Sequence, residues 1–169
     1  MRTLHCPNCG TPFVRVASNE GSVERMLNRF NMFPFRCQLC TNRFRAFFSG
    51  GKLITQAYDR RQFKRLTASI EAQILDERQL PFANRVTDIS MDGCTLLMTG
   101  FSKGTFLELV LKPASELEEI RIESAMVCSV HSSSVGLKFL EMTDPDKQRL
   151  SQVVLGLLVS QGQHPTTNA

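Results

Sequence analysis

The second half of the chain is dominated by alternation. In TASIEAQI, Ala68, Ile70, Ala72 and Ile74 interleave with Thr67, Ser69, Glu71 and Gln73. This is the two-residue period of a strand with one buried face. NRVTDI and GCTLLM follow as short strands. TFLELVL alternates less cleanly, with Phe106 and Leu107 adjacent, and ends near Pro113, which cannot continue a central strand. IRIESAMVCSV and SVGLKFLEM complete a set of six. Short strands separated by polar turns predict an antiparallel barrel or sandwich rather than βαβ units. The period then lengthens. In TDPDKQRLSQVVLGLLVSQGQ, Leu150, Val153, Val154, Leu157 and Leu158 fall on one side of a helix. Thr143 or Asp144 can cap it, Pro145 fits its first turn and Gly162 stands beyond its end. The stripe is expected to pack on the strands, with a frayed tail behind it.

The first third reads differently. SVERMLNRFNMF places Val23, Met26, Leu27, Phe30 and Phe33 at helical spacing, which predicts a short amphipathic helix. The Gly50–Gly51 pair and its surroundings break regular structure. The expected organisation is therefore a small module over residues 1–48, a linker over 49–58, a main domain over 59–160 and a flexible tail over 161–169.

Charge sharpens this division. The net charge of +4 says little by itself. Residues 1–58 hold eight Lys/Arg against two acids, while the remainder holds twelve against fourteen. Such asymmetry suits two modules with different partners. The 169 residues, 42% of them hydrophobic, suffice for one ordinary core and a small second one. The longest apolar run, Val153–Val159, is far short of the ~18–20 residues that cross a bilayer. The opening MRTLHCPNCG lacks the apolar stretch of a signal peptide. A soluble cytoplasmic protein is expected.

Four of the six cysteines form two pairs, Cys6 and Cys9 in CPNCG, and Cys37 and Cys40 in CQLC. A two-residue spacer lets both thiolates of a pair turn toward one ion, and Pro7 and Gly10 suit the tight turn this needs. Structural zinc takes four tetrahedral ligands and favours thiolate, so these cysteines are the expected metal ligands, with His5 a bystander. The alternative, two redox dithiols, lacks the βαβ surroundings such motifs keep. CPNCG and FRCQLCTNRFRAF together resemble a bacterial zinc ribbon. Basic and aromatic residues interleave there, which is compatible with nucleic-acid contact through Arg36, Arg43 and Arg45, or with docking to a protein.

DRRQFKR, Asp59 to Arg65, carries four basic residues in seven positions immediately before the first strand of the main domain. About twenty residues on lies DISMDG. The order RxxxR (Arg61, Arg65) followed by DxSxxG (Asp88, Ser90, Gly93) resembles the signature of the PilZ domain. The late strand SVGLKFLEM, with its Gly and Phe, and the terminal helix extend the likeness over roughly residues 58–160. The resemblance implies a six-stranded β-barrel that binds the second messenger cyclic di-GMP. It places Arg61 and Arg65 on phosphate and the guanine face, and Asp88, Ser90 and Gly93 on the strand turn that holds a guanine edge. Arg60 is a further candidate phosphate contact. The chemistry agrees: guanidinium donates in a fork to phosphate and stacks on flat rings. A carboxylate accepts from guanine N1–H and N2–H, while O6 and N7 suit arginine. Ser90 brings a small hydroxyl, and Gly93 permits close backbone approach or positive φ. The Gly50–Gly51 linker could let the arginine segment close over a ligand.

Cys94 and Cys128 lack CxxC partners and read as buried small hydrophobes. His131 and His164 have no evident partner. No paired carboxylates, Ser-His-Asp set or phosphate-binding glycine loop stands out, so a non-enzyme is expected. Two functions remain open. One is a bacterial cyclic di-GMP effector that signals to a downstream protein in motility, polysaccharide or biofilm control, as the resemblance implies. The other is a zinc-ribbon nucleic-acid-binding protein whose barrel is a scaffold or a degenerate, non-binding PilZ domain.

Overall fold

The structure, a computed structural model, describes residues 2–47, 61–75, 81–113, 118–161 and 167–168. They fall into two compact units, Met1–Lys64 with Gly162–Ala169, and Arg65–Gln161. The expected linker, 49–58, lies outside the described residues. The division between the units falls later, between Lys64 and Arg65, inside the arginine motif.

In the first unit, β1 (Arg2–Thr3) pairs antiparallel with β11 (Thr167–Asn168), so the expected tail carries a short strand. A three-stranded antiparallel sheet joins β2 (Val14–Val16), β3 (Met32–Cys37) and β4 (Arg43–Phe47). Its small core holds Cys6, Val14, Phe35 and Cys37, with the rings of Phe35 and Phe44 stacked at 5.8 Å. Between β2 and β3 runs α1 (Ser22–Leu27), continued by a 3-10 turn (Asn28–Phe30). The helix is present, but it does not bury the face its apolar spacing implies. Val23, Met26 and Phe30 are exposed, and the buried residue is Glu24. The reason is electrostatic. Arg43 Nη2 lies 2.5 Å and Arg45 Nη2 3.1 Å from its carboxylate, and the Glu20 amide donates to it at 2.6 Å. Burial opposes the charge on Glu24, but these donors outweigh it and hold the carboxyl below its usual range.

The second unit is a closed barrel of six antiparallel strands: β5 (Leu66–Leu75), β6 (Pro81–Ser90), β7 (Gly93–Leu96), β8 (Phe106–Lys112), β9 (Ile120–Val130) and β10 (Val135–Glu141), in the order β10-β7-β6-β5-β8-β9. β6 starts earlier than NRVTDI suggests. It admits Pro81 because a proline costs no ladder hydrogen bond at a strand's first residue. In β8 the structure resolves the adjacent Phe106 and Leu107: Leu107, Leu109 and Leu111 face the core and Phe106 faces out. Ile70, Ile74, Val86, Ile89, Leu96, Ile122 and Leu137 are among the side chains that fill the interior.

Outside the barrel, α2 (Asp144–Ser160) packs against β5 and β9 through Leu150, Val154 and Leu158. Thr143 is its cap and accepts from the Asp146 amide at 3.3 Å. Asp146 is itself buried. Its carboxylate accepts from the Thr143 hydroxyl at 2.6 Å, the Arg121 amide at the start of β9 at 3.1 Å and Arg149 at 3.1 Å. One side chain thus ties the helix start to the barrel wall. Among the described residues, no helix is long and apolar enough to cross a membrane.

Burial disfavours the Asp146 carboxylate, but the three donors outweigh that and lower its pKa. A depressed folded-state pKa gives stability that is fully present above the unfolded value of about 3.9 and is lost as pH falls through the folded one. Asp146→Ala is expected to lower stability by ~1.5–3 kcal/mol near neutrality. Denaturant titrations at stepped pH should show the wild-type advantage shrinking below about pH 4.

Candidate functional site

At one rim of the barrel three strand pairings are irregular. Registers shift between Thr67 and Ile70 where β5 meets β6, between Val86 and Asp88 where β6 meets β7, and between Gly136 and Leu137 where β10 meets β9. Such bulges re-aim side chains. In β6 the consequence is specific: Val86 and Ile89 both face the core although they are three residues apart. Strict alternation would put Asp88 on the same face as Val86. The extra residue at Thr87 breaks the parity and leaves Asp88 half-buried at the rim, opposite Thr95 on β7.

Arg65 immediately precedes β5, whose Thr67 is paired with Asp88. Its Nη1 donates to Asp88 Oδ1 at 3.1 Å and to Thr95 Oγ1 at 2.6 Å, and the Thr95 hydroxyl donates to the same Oδ1 at 3.1 Å. The Thr87 hydroxyl donates to Oδ2 at 3.4 Å. The Arg65 and Asp88 side chains keep 33% and 27% of their surface exposed, so this pair is accessible to a ligand. The cluster offers a planar cation, a carboxylate acceptor and hydroxyls.

Ser90 and Gly93 flank the two-residue turn between β6 and β7. The buried Ser90 hydroxyl donates to the Gly93 carbonyl at 3.2 Å and accepts from the Asp92 amide at 3.3 Å, which closes the turn. Gly93 is not among the described positive-φ glycines. What it supplies is close approach: a Cβ there would stand 2.0 Å from the Leu137 carbonyl oxygen on β10. At Gly136 a Cβ would meet the Ser129 hydroxyl at 2.3 Å and lie 3.7 Å from Arg65 Nη2. Thr95 and Gly136 therefore belong to this cluster; Gly136 is the glycine of SVGLKFLEM, whereas Thr95 stands in no motif. Thr95 could be found only from the β6–β7 register. Arg60 lies outside the described residues. Arg61 is exposed and belongs with the first unit.

In the first unit, Cys6, Cys9, Cys37 and Cys40 converge, with all four sulfurs within 4.8 Å of one another. The short pairs run across the knuckles, Cys6 to Cys40 at 3.5 Å and Cys9 to Cys37 at 3.6 Å. A Zn–S bond of ~2.3 Å puts tetrahedral sulfurs about 3.8 Å apart, so the cluster has the right size for one ion. The Leu39 and Cys40 amides point at Cys37 Sγ, each at 3.4 Å, as a thiolate requires. Gly10 follows the first knuckle with φ 71° and Thr41 the second with φ 61°. Elsewhere Cys94 is wholly buried, and burial, with the nearby Asp88 charge, pushes its thiol up to about 12, which makes it inert. Cys128 is half-buried.

The arginines named above as candidate nucleic-acid contacts have partners within their own unit. Arg43 pairs with Glu20 at 2.9 Å and with Glu24, and Arg45 pairs with Glu24. The Arg36 guanidinium lies over the Phe63 ring at 5.6 Å.

Gly93→Ala is expected to destabilise the barrel by about 1–3 kcal/mol, because the obstructing atom is backbone and cannot rotate away. A thermal melt of the variant checks this, and an unchanged midpoint would contradict the packing described.

Comparison with known proteins agrees with this fold. Among solved structures, the PilZ domain of YcgR from Escherichia coli, described with c-di-GMP, matches at TM-score 0.52 and 13% identity, covering 61% of this chain and 95% of that one. The Bacillus subtilis inhibitor of motility MotI/DgrA matches at TM-score 0.55 and 19% identity, over 78% of this chain and 75% of that one. MrkH from K. pneumonia, in a complex with c-di-GMP, matches at 0.53 and 18%, over 78% and 73%. These identities speak for the fold. A search of curated protein sequences finds no match. The family model described as PilZ domain matches residues 59–156, more than half of the chain. With the closed barrel, the terminal helix and the two motifs in order, this chain belongs to the PilZ domain family.

Proposed function

We propose that the barrel binds cyclic di-GMP and passes its occupancy to a downstream partner. The observation that carries this reading is the Arg65–Asp88–Thr95 cluster at the bulged rim, accessible and internally paired. Its groups match the ligand's chemistry. Arg65 and Arg61 meet phosphate oxygens and the guanine O6/N7 edge or face. Asp88 accepts from guanine N1–H and N2–H, while Thr95 holds its carboxylate in place. Ser90 and Gly93 act through the turn that sets the rim, and the Ser90 hydroxyl is already engaged there. Arg60 remains a proposed phosphate contact.

The reading is supported by structural neighbours described with c-di-GMP. One neighbour is an inhibitor of motility and another a transcription regulatory factor. Output through a protein partner is the preferred form here, since Arg36, Arg43 and Arg45 are engaged within their own unit. We further propose that Cys6, Cys9, Cys37 and Cys40 hold one structural zinc ion. Four thiolates leave no open coordination position, so the ion would fix the two knuckles and take part in no reaction.

Calorimetric titration of the full chain with cyclic di-GMP should give micromolar or tighter binding. Arg61→Ala or Arg65→Ala should weaken it roughly 10- to 100-fold with the fold intact by circular dichroism. A flat titration with folded, metal-loaded protein would sink the reading. Elemental analysis should find about one zinc per chain, lost in Cys37→Ser together with structure in the first unit.

A further inference from the structure

The arginine motif is divided between the units: Arg61 to Lys64 belong with the cysteine module and Arg65 with the barrel. What holds the first part is a residue inside the second knuckle. Gln38 stands between the ligands Cys37 and Cys40, and it is 5% exposed. Its side-chain oxygen accepts from the Lys64 amide at 2.8 Å, and its side-chain nitrogen donates to the Gln62 carbonyl at 3.0 Å. Between these two bonds Phe63 is buried beneath the Arg36 guanidinium. Gln62 Nε2 adds a bond to the Ser18 hydroxyl at 3.3 Å. A primary amide that pairs with an N–H and a C=O two residues apart imitates a neighbouring strand. A buried amide of this kind is not easily exchanged for water.

We propose that Gln38 is a positioning residue for messenger binding, which makes metal loading of the knuckle and affinity for cyclic di-GMP mutually dependent. This rests on the reading of the barrel given above. The knuckle backbone takes its shape around the four sulfurs, and Gln38 is carried on it. Gln38 in turn holds the main chain on either side of Phe63, from which Arg61 projects. Four residues of chain reach at most about 14 Å, so a ligand that touches Arg65 is within reach of Arg61. With the segment held in advance, binding does not bear the cost of ordering it. With the knuckle loosened, that cost returns. Linkage then requires that the messenger tighten the metal by the same factor as the metal tightens the messenger.

The test uses the full chain, zinc-loaded, with cyclic di-GMP as titrant and a chromophoric chelator to read zinc affinity. Gln38→Met keeps length and removes both hydrogen bonds, while Gln38→Glu keeps the acceptor for the Lys64 amide. Gln38→Met should retain one zinc per chain yet bind messenger about 5- to 30-fold more weakly, with Gln38→Glu between it and wild type. Saturating messenger should raise the zinc affinity of the wild type, and in Gln38→Met that rise should fall toward none. If Gln38→Met proves unstable, the zinc response of wild type and Gln38→Glu to messenger decides the matter alone. Equal messenger affinity in the zinc-loaded wild type and Gln38→Met, or a wild-type zinc affinity indifferent to messenger, overturns the coupling while leaving the barrel's function standing. Absence of any messenger binding by wild type overturns the function and this inference together.

Discussion

Closing six short strands into one antiparallel barrel leaves no unpaired edge, and it ties every register to every other. An extra residue in one strand cannot be absorbed by slipping, because a slip of one position would turn a whole row of side chains inside out. It is absorbed locally as a bulge. Three such irregularities sit where Arg65, Asp88 and Gly136 come together. The barrel's demand for closure and the site's demand for an outward carboxylate are met by the same distortion. Gly93 and Gly136 belong to the same solution, since the strands beside the distortion approach too closely for a Cβ.

Both units also rely on a buried acid that is fully engaged. Asp146 fastens α2 to β9 with one carboxylate shared among a cap hydroxyl, a strand amide and an arginine. Glu24 does the corresponding work in the small module, where two β4 arginines and an amide converge on it. A short chain segment with few large side chains has little apolar area to bury, and a saturated carboxylate gives it a defined geometry instead. The excess positive charge of the first third is in part the counterpart of Glu20 and Glu24 rather than an open basic face.

The residues of the arginine motif fall in different units. Its first four residues are organised by the cysteine module and its last by the barrel. Gln38, which holds Gln62 and Lys64 through two hydrogen bonds inside the first unit, stands between Cys37 and Cys40. The proposed metal would set the knuckle that carries Gln38, and the proposed messenger would meet Arg61, next to the segment that Gln38 holds.

Local signals in the sequence marked the six barrel strands and the terminal helix, but not the strands of the first unit. Alternation in TASIEAQI and IRIESAMVCSV marked strands that the structure places at Leu66–Leu75 and Ile120–Val130, and Thr143 and Pro145 marked the start of α2. These are local signals: periodicity and capping depend on neighbours a few residues away. The two cysteine pairs were legible for the same reason, since a two-residue spacer is a local feature, and the structure brings all four sulfurs within 4.8 Å of one another. What tertiary structure decided depends on residues far apart in the chain. The spacing of Val23, Met26 and Phe30 pointed to a buried apolar stripe, but ion pairs with a strand about twenty residues later turned Glu24 inward instead. Asp88 faces outward only because β6 carries one residue more than its partner, a property of the pair and not of either strand. Thr95 met Asp88 through that register, and Gln38 met Gln62 and Lys64 through two hydrogen bonds to a segment more than twenty residues away.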